Sequence, residues 1–214
     1  MHVDKLERGW SWRIPLPGKM SVGLVIDSDH IKKFGDNLED QFDNYLRHDP
    51  VIRLWGESPK RLTRVLKYTN YQLVSKRGFG DGWALVGDTF GFVDPVYSSG
   101  LLLAFDSARE ISRAIIAGGG EQAMKRYERH VGNHIRAWQR IIEHFYNGRF
   151  FTLLRTGEEA KESLVGKLLE LHFGRHLPRV FTGEATTRRY SVGLMDFMCR
   201  RALMDNDPAE LAVR

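Results

Sequence analysis

Bulky and polar residues alternate from Gly9 to Pro17, in Gly9-Trp10-Ser11-Trp12-Arg13-Ile14-Pro15-Leu16-Pro17, and this period of two predicts an extended strand. Ser21 to Ile26 reads as a second strand, so Pro17-Gly18 is the expected hairpin turn. Between Leu38 and Arg47 the spacing of Leu38, Phe42, Tyr45 and Leu46 turns helical, with Pro50 just beyond. Arg64 to Tyr68 and Tyr71 to Ser75 alternate as strands would. A glycine turn, Gly78-Phe79-Gly80-Asp81-Gly82, then leads into an apolar strand, Trp83-Ala84-Leu85-Val86. After a turn-rich stretch from Thr89, a helix is expected over Ser99 to Ala117, with Leu101, Phe105, Ala108, Ile111 and Ile115 on its apolar face and Gly118-Gly119-Gly120 closing it. Ala123 to Phe145 reads as a long helix interrupted by Gly132, with Trp138 in its core face. Glu158 to Leu171 reads as another helix, and 175–214 as helical or irregular.

These elements give an α+β class, a sheet portion followed by a mostly helical C-terminal region, with the division expected between 1–117 and 118–214. The chain has 214 residues, 42% hydrophobic and 28% charged, with 21 Gly and 7 Pro, which excludes a collagen, a coiled coil and a disordered tail. The single cysteine, Cys199, cannot form an internal bridge and fits a reducing, cytoplasmic setting. Net charge is +5, but the signs are interspersed, and only Arg175, Arg179, Arg188, Arg189, Arg200 and Arg201 gather toward one end. A nucleic-acid partner is therefore not expected. The most apolar run, Leu101 to Phe105, is broken by Asp106, Arg109 and Glu110, so no membrane span is expected.

The stretch richest in chemistry is Gly82 to Gly100. It reads as a buried strand delivering one carboxylate, Asp88, followed by a turn and the start of a long helix. Ligands collect at such places in α/β folds. Asp88 could accept hydrogen bonds from sugar or ribityl hydroxyls. The free N–H groups near Ser98, Ser99, Gly100 and Leu101 would favour an anion or an electron-rich ring. The same residues would serve equally as a turn former and a helix cap with no ligand, and the pattern leaves both open.

Gly87-Asp88, the run Phe92-Val93-Asp94-Pro95-Val96-Tyr97-Ser98-Ser99-Gly100 and the upstream Trp10-Ser11-Trp12-Arg13-Ile14-Pro15 together resemble the flavin-dependent halogenases and their FAD-monooxygenase relatives. The similarity extends over Arg140 to Phe151, covering about Gly9 to Phe151 and leaving 152–214 unplaced. The resemblance implies part of an FAD-dependent hydroxylase/halogenase fold. It also implies chemistry in which reduced FAD and O2 oxidise a halide or hydroxylate the substrate. Residue by residue, it implies FAD contacts from Gly87, Asp88, Pro95, Ser98, Ser99 and Gly100, and halide contacts from the Ser99 and Gly100 backbone. Trp10, Trp12, Tyr97, Phe145 and Tyr146 are the implied candidates for the substrate pocket. Tyr97 stands where tryptophan halogenases carry a functional Glu, which argues against free tryptophan and for a phenolic or pyrrolic substrate, free or on a carrier protein. Leu101-Leu102-Leu103 departs from the Val-His that often follows in that subgroup.

No strand–GxGxxG–helix segment occurs, since Gly78 to Gly82 has the wrong spacing and precedes a strand. The expectation is a C-terminal part of a flavoprotein. The implied partners are an N-terminal FAD-binding half carrying the family's active-site Lys and a flavin reductase or other NAD(P)H source. FAD is then expected to bind weakly to these residues alone. Two alternatives are a geranylgeranyl reductase-like saturase, against which the Trp-Ser-Trp-Arg-Ile-Pro segment argues, and a non-catalytic fragment acting as an interaction module. His130 and His134, four apart on a helix, and His144 could grip a metal. Without a Glu after His130, solvated histidines are expected and no metal site.

Overall fold

A computed structural model describes residues 2–50, 60–69, 72–160, 179, 183–203 and 206–213. The fold is α+β and divides into two compact units, Met1–Thr69 with Val213–Arg214, and Asn70–Ala212.

In the first unit β1 (His2–Leu6), β2 (Gly9–Leu16) and β3 (Lys19–Ile26) form an antiparallel meander in that order. The hairpin turns at Pro17-Gly18 as expected, with Gly18 at φ 68° and Leu16 paired with Lys19. Trp12 pairs with Gly23, and its indole lies where a side chain at Gly23 would stand. A bare glycine thus gives the ring a flat bed on β3. The short helix α1 (Ser28–Ile31) is capped by Asp27, and α2 (Leu38–His48) by Asn37, whose carbonyl accepts from the Asp40 N–H at 2.9 Å. Leu6, Ile31 and Tyr45 form the buried core here, with Leu24, Ile26, Phe34 and Leu46 packed around them.

The 60–69 stretch of the first unit and the 72–75 stretch of the second depart from expectation. Arg64 to Tyr68 carries no strand, while Tyr71 lies outside the described residues. Val74 makes only an isolated bridge to Gly91, supported by Ser75 N–H to Phe90 O and Phe92 N–H to Leu73 O at 2.8 and 2.9 Å. The expected buried strand shrinks to β5 (Trp83–Ala84), paired with β4 (Phe79–Gly80), and Trp83 is 46% exposed. Gly80 accommodates the Trp83 ring, so this is a tight ribbon rather than a core strand.

The helices α3 (Gly100–Ile116), α4 (Glu121–Tyr146), α5 (Arg149–Ala160), α6 (Glu184–Thr187) and α7 (Arg189–Arg201) make the rest. Gly118 and Gly119, at φ 96° and 66°, turn the chain between α3 and α4. α4 runs unbroken through Gly132, where the Arg136 guanidinium occupies the space over the missing side chain. Its buried stripe, Tyr127, Val131, Ile135, Trp138, Ile142 and Phe145, is continuous on one face, and burial of Trp138 alone removes roughly 4–6 kcal/mol worth of apolar surface from water. α5 falls on the aromatic segment, and the helix expected over Glu158 to Leu171 lies largely outside the described residues.

Of the apolar face expected for α3, only Ile111 is buried. Leu101, Phe105 and Ile115 are more than 60% exposed, together with Ile116, while Leu103, Asp106, Ser107, Ile111 and Ala114 are buried. α3 therefore carries two apolar stripes, and only one is covered among the described residues. None of the described helices is long and apolar enough to cross a membrane.

Candidate functional site around Asp88 and the start of the third helix

Gly87 to Thr89 form a single 3-10 turn entered from extended Val86. Gly87 has φ 59°, and its N–H donates to Ser107 Oγ at 2.9 Å, fixing the turn to the buried face of α3. Thr89 closes the turn locally, its hydroxyl donating to Val86 O at 2.6 Å. The turn leaves the Asp88 side chain exposed beside the helix start. A side-chain carbon on Gly100 would meet Asp88 Oδ1 alone, at 3.8 Å.

The second approach to that helix start is built on Asp94. Its carboxylate is fully enclosed and accepts from Val96 N–H at 3.0 Å, the Tyr146 hydroxyl at 2.8 Å and Gln72 Nε2 at 3.4 Å. With Pro95 at the first position, this cap winds Pro95–Tyr97 into a 3-10 turn. Ser98 follows at φ 54°, the one non-glycine residue in the left-handed region among the described residues. Such a backbone costs on the order of 1 kcal/mol or more and is held by its surroundings. It reverses the chain so that α3 begins at Gly100.

The N–H of Ser98 is not free as expected, because it donates to Pro95 O at 2.8 Å. Ser99, the residue before the helix, is 2% exposed, makes no side-chain cap, and its Oγ has no hydrogen-bond partner among the described residues. A buried hydroxyl left in this way costs about 1–3 kcal/mol. The first helical N–H groups of α3 have no intrahelical acceptor. Gly87, Asp88, Ser99 and Gly100 are thus brought to one place, with Pro95 and Ser98 forming the turn behind them.

The expected pocket residues are distributed differently. Tyr97 packs its ring on Trp138, Phe145 and Phe150 at centroid distances of 6.1, 5.9 and 5.8 Å, and burial drives its phenol far above the ordinary range. Phe145 is 5% exposed and also stacks on Tyr146 and Phe151. Tyr146 spends its hydroxyl on Asp94. Trp10 and Trp12 belong to the first unit, where their rings lie 5.8 Å apart on one face of β2, Trp10 buried and Trp12 Nε1 donating to Ser21 Oγ at 3.3 Å.

Burial holds the Asp94 carboxyl above its ordinary value, against the Tyr146 and Val96 donors that lower it. A raised folded value means a stability contribution present below the ordinary carboxylate range and lost as pH rises through the folded value. Tyr146→Phe removes a donor to the ionised form. Its cost is expected to grow with pH, reaching about 1–3 kcal/mol near neutrality. Urea titrations of both proteins at acid and neutral pH check this, and an equal difference at the two pH values would contradict it.

His134 and His144 are not solvated, and His130 is only partly so. His134 and His144 are 2% and 3% exposed, and each meets a carboxylate that arrives from another helix, Asp106 at 2.9 Å and Asp196 at 3.1 Å. His130 also reaches Asp106, at 2.7 Å. Burial raises the Asp106 carboxyl, but the hydrogen bonds from His130 and His134 outweigh it and hold it well below the usual range. Helix spacing shows the two histidines on one face, yet nothing local announces Asp106 opposite them.

The tryptophan halogenase family pattern matches residues 4–161. The chain belongs to the tryptophan halogenase family. It is 32% identical over 177 residues to a tryptophan 2-halogenase of Chondromyces crocatus, covering 77% of this chain and 34% of that protein. It is 26% identical over 152 residues to a 1H-pyrrole-2-carbonyl-[peptidyl-carrier protein] chlorinase of Pseudomonas fluorescens, covering 68% of this chain and 34% of that one. The chain spans about a third of the length of these relatives. Among solved structures, the halogenase PltM, crystallised with ethyl mercury and mercury, superposes with a TM-score of 0.64 at 17% identity, covering 98% of this chain and 49% of that one. A flavoprotein/dehydrogenase from Cytophaga hutchinsonii gives a TM-score of 0.68 at 19% identity over 92% of this chain and 45% of its own. These two share the fold.

Proposed function

We propose that this chain supplies the flavin-facing turn, the helix start and part of the substrate side of an FAD-dependent halogenase acting on an electron-rich aromatic ring. The observation that carries the reading is the meeting of the exposed Asp88 side chain with the open N–H groups at the start of α3, where the buried Ser99 hydroxyl is left unpartnered. This donor set fits a flavin. Asp88 would accept from ribityl or ribose hydroxyls, while the helix start and Ser99 would donate to the anionic edge of the reduced ring or to a halide beside it. Bound FAD supplies the two-electron chemistry that activates O2 for oxidation of the halide.

Two further features support the reading. Relatives carry names for tryptophan and for carrier-bound pyrrole substrates, both electron-rich heteroaromatics. The uncovered stripe of α3, Leu101, Phe105, Ile115 and Ile116, is the sort of surface that a nucleotide-binding half would close. FAD is expected to bind weakly to these residues alone and tightly when they are joined to a dinucleotide-binding segment, taken for example from a relative.

The test supplies that joined protein with FAD, a flavin reductase, NADH, O2 and bromide. Phenol, pyrrole, tryptophan and a carrier-bound pyrrole are offered in turn. A product heavier by bromine in place of hydrogen is the expected result. A gain of oxygen alone would make it a monooxygenase, a gain of hydrogen a reductase, and no product from any substrate would overturn the enzymatic reading.

A further inference from the structure

We propose that Asp106, His130 and His134 form a binding site for a divalent metal ion of the zinc class, joining α3 to α4. Asp106 Oδ2 lies 2.7 Å from His130 Nε2 and 2.9 Å from His134 Nδ1, and the three candidate ligand atoms all fall within 4.8 Å of one another. Tetrahedral zinc ligands at about 2.0–2.2 Å from the ion stand roughly 3.3–3.6 Å apart, so seating an ion here opens these two contacts by roughly half an ångström or more. Two imidazoles and a carboxylate are a donor set that zinc, cobalt and iron(II) accept.

The hydrogen-bond directions call for a cation. With the Thr186 hydroxyl proton directed to Gly183 O at 2.8 Å, its oxygen accepts from His134 Nε2–H at 2.9 Å. In neutral His134 that leaves a lone pair on Nδ1, aimed at Asp106 Oδ2 inside a site where His134 is 2% exposed and Asp106 7%. Lone pair facing carboxylate is repulsive, and either a second ring proton or a metal ion relieves it. The surroundings fit the metal. Thr186 fixes the His134 tautomer from behind, and the Arg109 guanidinium holds Asp106 Oδ1, leaving Oδ2 to ligate. His130, 35% exposed, gives the ion a way in and leaves room for a water as a further ligand.

The assignment stands apart from the halogenase reading and is tested without turnover. The tag-free, metal-stripped 214-residue chain is titrated with Co2+ at neutral pH. A single saturable equivalent with visible d–d absorption is expected, displaced by Zn2+, and zinc is expected to raise Tm. His130→Gln, at the exposed edge, and His134→Asn should each weaken Co2+ at least about tenfold, the former serving if the buried variant does not fold. No saturable equivalent, or unchanged affinity in a folded variant, overturns the proposal. So does a 15N spectrum in which both His134 ring nitrogens stay protonated when zinc is added, because the proton is then the only cation the site holds.

Discussion

Asp88→Ala, in the chain joined to a dinucleotide-binding segment, is expected to weaken FAD binding about 10- to 100-fold while leaving Tm within about 1 °C of the parent. The first figure follows from losing one or two hydrogen bonds to a charged acceptor, roughly 1.5–3 kcal/mol. The second follows from the environment of Asp88, which is exposed and has no hydrogen-bond partner among the described residues, so its removal takes nothing from the fold. Asp88→Asn should fall between, since an amide keeps one acceptor but loses the charge. Flavin fluorescence titration and a thermal melt on the same samples decide the matter. FAD affinity unchanged in Asp88→Ala would remove Asp88 from the site, and a large fall in Tm would make its role structural.

The largest effect on the fold is expected at Gly148, between α4 and α5. It sits at φ 75°, and a side-chain carbon there would lie 2.1 Å from Pro208 O and 2.6 Å from Ala212 N. Both obstacles are backbone and cannot swing aside. Gly148→Ala adds this collision to the ordinary left-handed penalty, for a loss of about 3–5 kcal/mol, a Tm lower by roughly 6–15 °C. Gly119→Ala is the matched control, with φ 66° and open space around it. It should cost only about 1 kcal/mol. Equal melting temperatures for the two variants would show that the segment around Pro208 does not pack on Gly148 in solution.

What could be read from the chain divides by the range of the interaction. The β2–β3 hairpin, α2 and α4 follow from local periodicity and turn chemistry, and all three stand nearly where the pattern puts them. Gly87-Asp88 and Ser99-Gly100 were legible because motif order survives in sequence, and the structure brings these residues together. Long-range partners were not. Asp94 meets Tyr146 across 52 residues and Asp106 meets His134 across 28, and no spacing rule announces either. α3 misled for a different reason. Periodicity picks out the most apolar stripe, of which only Ile111 is buried, whereas burial otherwise followed Leu103, Asp106, Ser107 and Ala114. The strands expected over Arg64 to Tyr68 and Tyr71 to Ser75 failed because alternation alone cannot supply a pairing partner, and among their described residues only Val74 forms a bridge, to Gly91.

That double character of α3 bears on how the gene can drift. An ordinary surface helix has a broad wet side where substitutions are neutral. On α3, Arg109, Ser112 and Arg113 make a narrow exposed polar strip, flanked by the packed stripe and by the uncovered apolar one. If both stripes are contact surfaces, tolerated change along these seventeen positions collapses onto that strip. The helix that begins beside Asp88 would then be among the slowest-evolving segments of the chain for reasons of assembly as much as of chemistry.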